Sequence, residues 1–184
     1  MFTKRLKPIL SFLPLLIIII AGFLFRLKGI QDNHSFWADE GYISSFARDI
    51  VMGKLSIAQG VYKVWYQPLQ ILTTSIFFFI FGISEFSARL PSVIIGSVGI
   101  VFAYFVAQKL SSTWGGLLAA FAYGFSQLNL ANATQAKPYT IITVLFFMNI
   151  YLYLLLTESN NSQDHKVLFH IAIIILSTLA TLFH

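Results

Sequence analysis

Six long apolar runs, at residues 9–25, 69–81, 91–108, 117–131, 141–156 and 167–183, leave this chain few folds to choose from. A bilayer core of about 30 Å is crossed by roughly 20 apolar residues in helical form, somewhat fewer where interfacial residues help. A water-soluble domain is about half apolar and a quarter charged. Here 57% of residues are hydrophobic and 10% are charged. The pattern predicts an all-α, polytopic transmembrane helical bundle.

The first run follows Lys4, Arg5 and Lys7, lacks a small-residue cleavage site and ends in "FRLKG". It reads as an uncleaved anchor rather than a signal peptide. The net charge of +5 therefore speaks first of topology, with the N-terminus cytoplasmic under the positive-inside rule. No basic stripe lies on a polar face, so no nucleic-acid partner is expected. The chain has no cysteine, which excludes disulfides, thiol nucleophiles and thiolate metal sites. Residues 1–184 read as a single transmembrane module, apparently the N-terminal part of something longer. It divides into a first span at 9–25, an external loop at 26–90 with interfacial helices, and four further spans within 91–183. The run at 69–81 is the shortest and follows Pro68. It fits the length of an interfacial or re-entrant segment better than a span.

Only seven residues are acidic, yet Asp39 and Glu40 stand side by side in "HSFWADEGYISSFARDIVMGK". Beyond them Ile43, Phe46, Ala47, Ile50 and Val51 recur at helical spacing, and Gly53 supplies a stop. An amphipathic helix on the membrane surface fits this pattern, with Asp39 expected at its N-cap. One reading of the pair is local: Asp39 caps free N–H groups and the helix dipole favours Glu40. The other is functional.

Further motifs follow in order. Tyr66-Gln67-Pro68-Leu69 opens the short run that ends at Phe81-Gly82. Arg89-Leu90-Pro91-Ser92 opens the next, and Thr134-Gln135-Ala136-Lys137-Pro138-Tyr139 lies between two others. With Asp39-Glu40-Gly41-Tyr42 these motifs resemble the polyprenyl-phosphate-sugar glycosyltransferases of the GT-C fold, in particular the protein-mannosyltransferase and aminoarabinose-transferase-like group. The likeness runs from about Phe36 to Tyr139. It implies a membrane enzyme, a GT-C-like N-terminal module that moves a sugar from a polyprenyl-phosphate donor to a glycan, lipid or protein acceptor at the external face of the cell membrane. There are departures from the family pattern. Tyr66 and Gln67 replace its His-Pro, Gln135 replaces an acid, and Lys137 replaces an Arg, keeping the charge but not the bidentate fork. The missing His and acid are candidate metal or proton-handling groups. No cofactor is fixed, no metal ligand is assigned, and a divalent metal stays open.

The resemblance implies a catalytic role for Asp39 as base, with Glu40 as helper or metal ligand. It implies a donor-phosphate role for Lys137, with Tyr139 as hydrogen-bond donor and Arg89 as a lesser contributor. Each has a plainer alternative: Lys137 snorkelling to the interface, Tyr139 and Trp37 in an aromatic belt, Arg89 as an interfacial anchor. His184 could serve as ligand or relay, but a lone His at a span end is more often neither. If Asp39 and Lys137 share a site, an even number of crossings separates them, so one of the three intervening runs does not cross. The run at 69–81 is the natural one to remove. That map puts Asp39, Arg89, Lys137, Tyr139 and His184 outside, with Lys109 and the 157–166 loop inside. A transporter fragment, whose acids usually lie within the spans, fits less well because these spans hold none. A non-catalytic or degenerate membrane scaffold remains the other alternative.

Overall fold

The computed structural model describes residues 2–31, 33, 35–63, 67–158 and 163–183. Tyr66 and His184 lie outside the described residues. The described chain forms helices α1 (Phe2–Gln31), α2 (Ala38–Val51), α3 (Ile57–Lys63), α4 (Pro68–Phe81), α5 (Glu85–Leu110), α6 (Thr113–Phe125), α7 (Gln127–Ala133), α8 (Tyr139–Glu158) and α9 (Gln163–Phe183). Among the described residues, four segments are long and apolar enough to cross a membrane: Phe12–Ile30, Glu85–Leu110, Tyr139–Thr157 and Lys166–Phe183. The chain is a multi-pass helical membrane bundle.

Helix α5 is the axis, and α1, α6, α8 and α4 all pack on it. Its seams with α6 rest on glycine. A Cβ at Gly99 would lie 2.5 Å from the Tyr123 hydroxyl, and one at Gly116 would lie 2.9 Å from Tyr104. Leu15, Ile100, Ala103, Tyr104, Ala120 and Tyr123 fill the core between α1, α5 and α6. A second cluster joins Ile43 and Ala47 of α2 to Ile71 and Phe78 of α4, Ala88 of α5 and Ala136. The start of α5, the ends of α1 and α7, the start of α8 and helix α2 therefore meet at one end of the bundle.

Two elements differ from the sequence pattern. The first apolar run was bounded at Phe25, but α1 continues to Gln31 because Arg26 is wholly buried rather than marking the water boundary. The run at 117–131, expected as one span, is broken at Ser126, whose φ of −59° and ψ of 128° end α6 and start α7. Helix α6 alone, at 13 residues, is about 20 Å long. Helix α4 has 14 residues, Pro at its first position and a stop at Gly82 with φ +83°. At about 21 Å it is too short for a bilayer core of about 30 Å, and it packs along α2.

Candidate functional site

The two neighbouring acids at the start of α2 have different fates. Successive helical residues point about 100° apart, so when one side chain faces the bundle the next turns away. Glu40 is 0% exposed. Arg89 of α5 grips it through two guanidinium nitrogens, Nε to Oε1 and Nη2 to Oε2, both at 3.2 Å. The backbone N–H of Ala136 donates to Glu40 Oε1 at 2.6 Å, and that of Trp37 donates to Oε2 at 3.1 Å. Arg89, also buried, reaches Glu85 at 3.5 Å and lies over the Phe36 ring at 5.1 Å. One carboxylate thus ties α2, α5 and the 134–138 turn together.

Asp39 faces outward, its side chain 58% exposed, and meets Lys137 Nζ at 2.9 Å. Lys137 also sits 5.9 Å from the Trp37 ring centroid. Partial burial pushes the Asp39 carboxyl up. The hydrogen bond and charge of Lys137, helped by the N–H groups of Asp39 and Glu40, outweigh it and hold the carboxyl below the usual aspartate range. The expected N-cap role moves by two positions. Trp37 occupies the cap and Asp39 is the second helical residue. Only half of a capping box forms, from the Trp37 N–H to Glu40, since Trp has no acceptor oxygen for the reciprocal bond.

The structure therefore brings Asp39, Glu40, Arg89 and Lys137 into one constellation. The registers are adjacent: residue 40 meets 136 and 89, and residue 39 meets 137. Ser92 Oγ at 3.5 Å from the Lys137 carbonyl braces the turn from α5. Tyr139 opens α8 just beyond, half exposed at 49%. Among the described residues no three His, Asp or Glu side chains gather as a metal site would need.

The segment that carries this turn matches a known family. Residues 67–183 match the family described as dolichyl-phosphate-mannose-protein mannosyltransferase. The chain belongs to that family. This mannosyltransferase family member is accordingly a membrane protein of glycosyltransferase type, and the family name implies a lipid-linked sugar donor. Arg89, Lys137 and Tyr139 fall inside the matched segment, whereas Asp39 and Glu40 precede it. No curated protein and no solved structure matches the chain.

Sequence reasoning missed Arg26. It lies on α1 with its side chain wholly buried, and its Nη1 donates to the carbonyls of Gly22 and Gly124, each at 3.0 Å. The signal was present in "FLFRLKGIQ", a cation inside a helix that keeps its apolar spacing beyond it. By hydropathy alone it reads as the end of a span and the start of the loop.

Proposed function

We propose that this protein transfers a sugar from a polyprenyl-phosphate donor to an acceptor hydroxyl at the external membrane face, with Asp39 as the general base and Lys137 holding the donor phosphate. The observation that carries the reading is the Asp39–Lys137 pair itself. A carboxylate and an ammonium lie 2.9 Å apart at an accessible place, beside a wholly buried ion pair that fixes the elements bearing them. The reaction needs a base beside the anomeric carbon and a cation where phosphate charge develops.

The resting contact gives this pair a sequence of events. A donor phosphate competes with Asp39 for Lys137. Once Lys137 turns to the phosphate, the carboxylate loses the partner that holds its proton affinity down and becomes the stronger base. Asp39 then takes the proton of the acceptor hydroxyl as its oxygen attacks the anomeric carbon. The bond to the phosphate oxygen breaks, and Lys137 stabilises the departing charge. Glu40 and Arg89 do not touch the substrate in this scheme. Both are fully buried, so their part is to hold α2 against the 134–138 turn. Tyr139, exposed at the head of α8, is placed to donate to a phosphate oxygen. An open apolar groove of about 540 Å³ between α2, α3 and α4, lined by Val51, Leu72, Ile76 and Phe79 among others, supports a path for the polyprenyl tail. In the proposed topology α5 goes inward, α6 and α7 return, and α4 lies in the outer leaflet.

The test is sugar transfer from a labelled polyprenyl-phosphate donor by the complete gene product. Asp39→Asn keeps the shape and removes the base, so transfer should fall about 10²–10⁴-fold while the protein still inserts. Near-normal transfer by that variant would reduce Asp39 to a helix-dipole residue. Absence of transfer by the parent itself would favour the scaffold reading.

A further inference from the structure

We propose that Arg26 is the positioning residue for Lys137: it holds open the helix break from which the 134–138 turn is hung. Arg26 is 0% exposed and lies in the apolar segment Phe12–Ile30. Charged side chains within spanning segments are expensive and face the bundle interior. Its partners are carbonyls. Nη1 donates to Gly124 O at 3.0 Å, Nη2 to Tyr123 O at 3.5 Å, and the guanidinium lies 5.8 Å from the Tyr123 ring centroid.

Those two carbonyls are the ones that the break exposes. In a continuous helix Tyr123 O and Gly124 O would accept from the N–H groups of residues 127 and 128. The turn of the chain at Ser126 removes those donors, and in a bilayer no water replaces them. Arg26 supplies the missing N–H groups, with Asn129 Nδ2 adding a bond to Tyr123 O at 3.4 Å. Without the break, α6 and α7 would run on as one rod and carry the following turn elsewhere.

Gly96 of α5 sets the same side chain next to the flanks of the turn. A Cβ at Gly96 would meet Arg26 Nε at 3.1 Å, Ala133 Cβ at 3.1 Å and Thr140 Cγ2 at 3.0 Å. Residues 133 and 140 flank the turn, so its entry, its exit and the guanidinium all converge on Gly96. Among the described residues, Arg26 Nε and Thr140 Oγ1 are themselves buried without a hydrogen-bond partner. The end of α1 completes the grip: Asn33 Nδ2 donates to Thr134 O at 2.9 Å, and Gly29 packs against Thr134 so closely that a Cβ there would lie 2.6 Å from it. Arg26 touches none of the proposed reacting groups. It acts through where Lys137 is delivered.

This inference rests on the Asp39–Lys137 pair being the functional site, but its test reads geometry and needs no turnover. The chain has no cysteine, so paired cysteines report cleanly. Asp39→Cys with Lys137→Cys measures the site, and Phe102→Cys with Tyr151→Cys, whose rings lie 6.3 Å apart, measures the α5–α8 packing. Each pair is treated in membranes with a short bis-methanethiosulfonate crosslinker, in the parent and in Arg26→Met, Arg26→Lys and Gly96→Ala backgrounds. In Arg26→Met the 39/137 crosslinking rate should fall about tenfold, the change that loss of one hydrogen bond to a charged group allows, while the 102/151 rate holds. Arg26→Lys, which keeps the donors but not the fork, should restore part of it. Gly96→Ala, which leaves every charge in place and drives a methyl into the same contact, should also lower the 39/137 rate selectively. An unchanged 39/137 rate in Arg26→Met overturns the proposal. So does a parallel loss of both pairs in Gly96→Ala and Arg26→Lys, since Arg26 would then hold the whole bundle rather than the turn.

Discussion

Removing Arg89 should cost far more than an ion pair is ordinarily worth. Exposed ion pairs contribute about 0–1 kcal/mol, but the Arg89 and Glu40 side chains are 1% and 0% exposed. Arg89→Met leaves the Glu40 carboxylate buried with, among the described residues, the Ala136 and Trp37 N–H groups for partners. Breaking one side of such a pair costs about 3–5 kcal/mol, because the remaining charge is uncompensated. Glu40→Gln should cost somewhat less, since Arg89 keeps Glu85 at 3.5 Å and the Phe36 ring. The amide still turns an NH₂ toward a backbone N–H that needs an acceptor. In the double variant neither charge is stranded. The two costs should therefore fall short of additivity by an amount near the top of the range of about 0.5–3 kcal/mol found for touching residues. Reversible unfolding in mixed detergent micelles, run on all four proteins of the cycle, gives that coupling. Single-variant costs below about 1 kcal/mol, or strict additivity, would refute the clasp.

Labelling of single cysteines by an impermeant reagent in intact cells should reach position 139 and not position 109; the reverse pattern would invert the proposed topology. The depressed Asp39 carboxyl contributes stability that is fully present above the unfolded aspartate value of about 3.9 and is lost as pH falls through the lower folded value. The effect is small for so exposed a pair. Asp39→Asn should flatten this part of an acid-unfolding curve, and an unchanged curve would show that Lys137 does not hold the carboxylate. Gly99→Ala places a methyl within 2.5 Å of the Tyr123 hydroxyl and should destabilise the α5–α6 seam by about 1–3 kcal/mol, measured by the same unfolding experiment; a neutral result would mean that the seam is loose.

Much of the fold was legible because a bilayer reduces the choice of structure. Apolar length fixes spanning helices, and the short run at 69–81 matches the 14 residues of α4. The amphipathic period beyond Glu40 and the stop at Gly53 announced α2, and Gly53 indeed adopts φ +71°. The break at Ser126 was not legible. "GFSQLNLANA" carries no proline, and its interruption depends on donors supplied by Arg26, about a hundred residues away in sequence. Hydropathy sums residues along the chain and does not register a carbonyl satisfied from a different helix. For the same reason Arg26 looked like the end of a span, when it is a buried partner within one.

The adjacency of Asp39 and Glu40 was legible, but their division of labour was not. A carboxylate pair read from sequence invites one role for two similar groups. On a helix the two side chains diverge by about 100°, and the direction of the core decides which is buried. Here the core lies on the side of Ile43, Ser44 and Ala47, which share a face with Glu40 at spacings of three, four and seven residues. Glu40 is therefore drawn into the bundle, where Arg89 and the Ala136 N–H neutralise it. Asp39 is left outward. Because Ala136 is fixed on Glu40, the next residue in the turn, Lys137, arrives beside the preceding residue in the helix, Asp39. The inner acid builds the register that gives the outer acid its cation. The buried ion pair and the accessible one are thus a single device, and in the proposed reaction the accessible member exchanges its partner for a phosphate without disturbing the buried one.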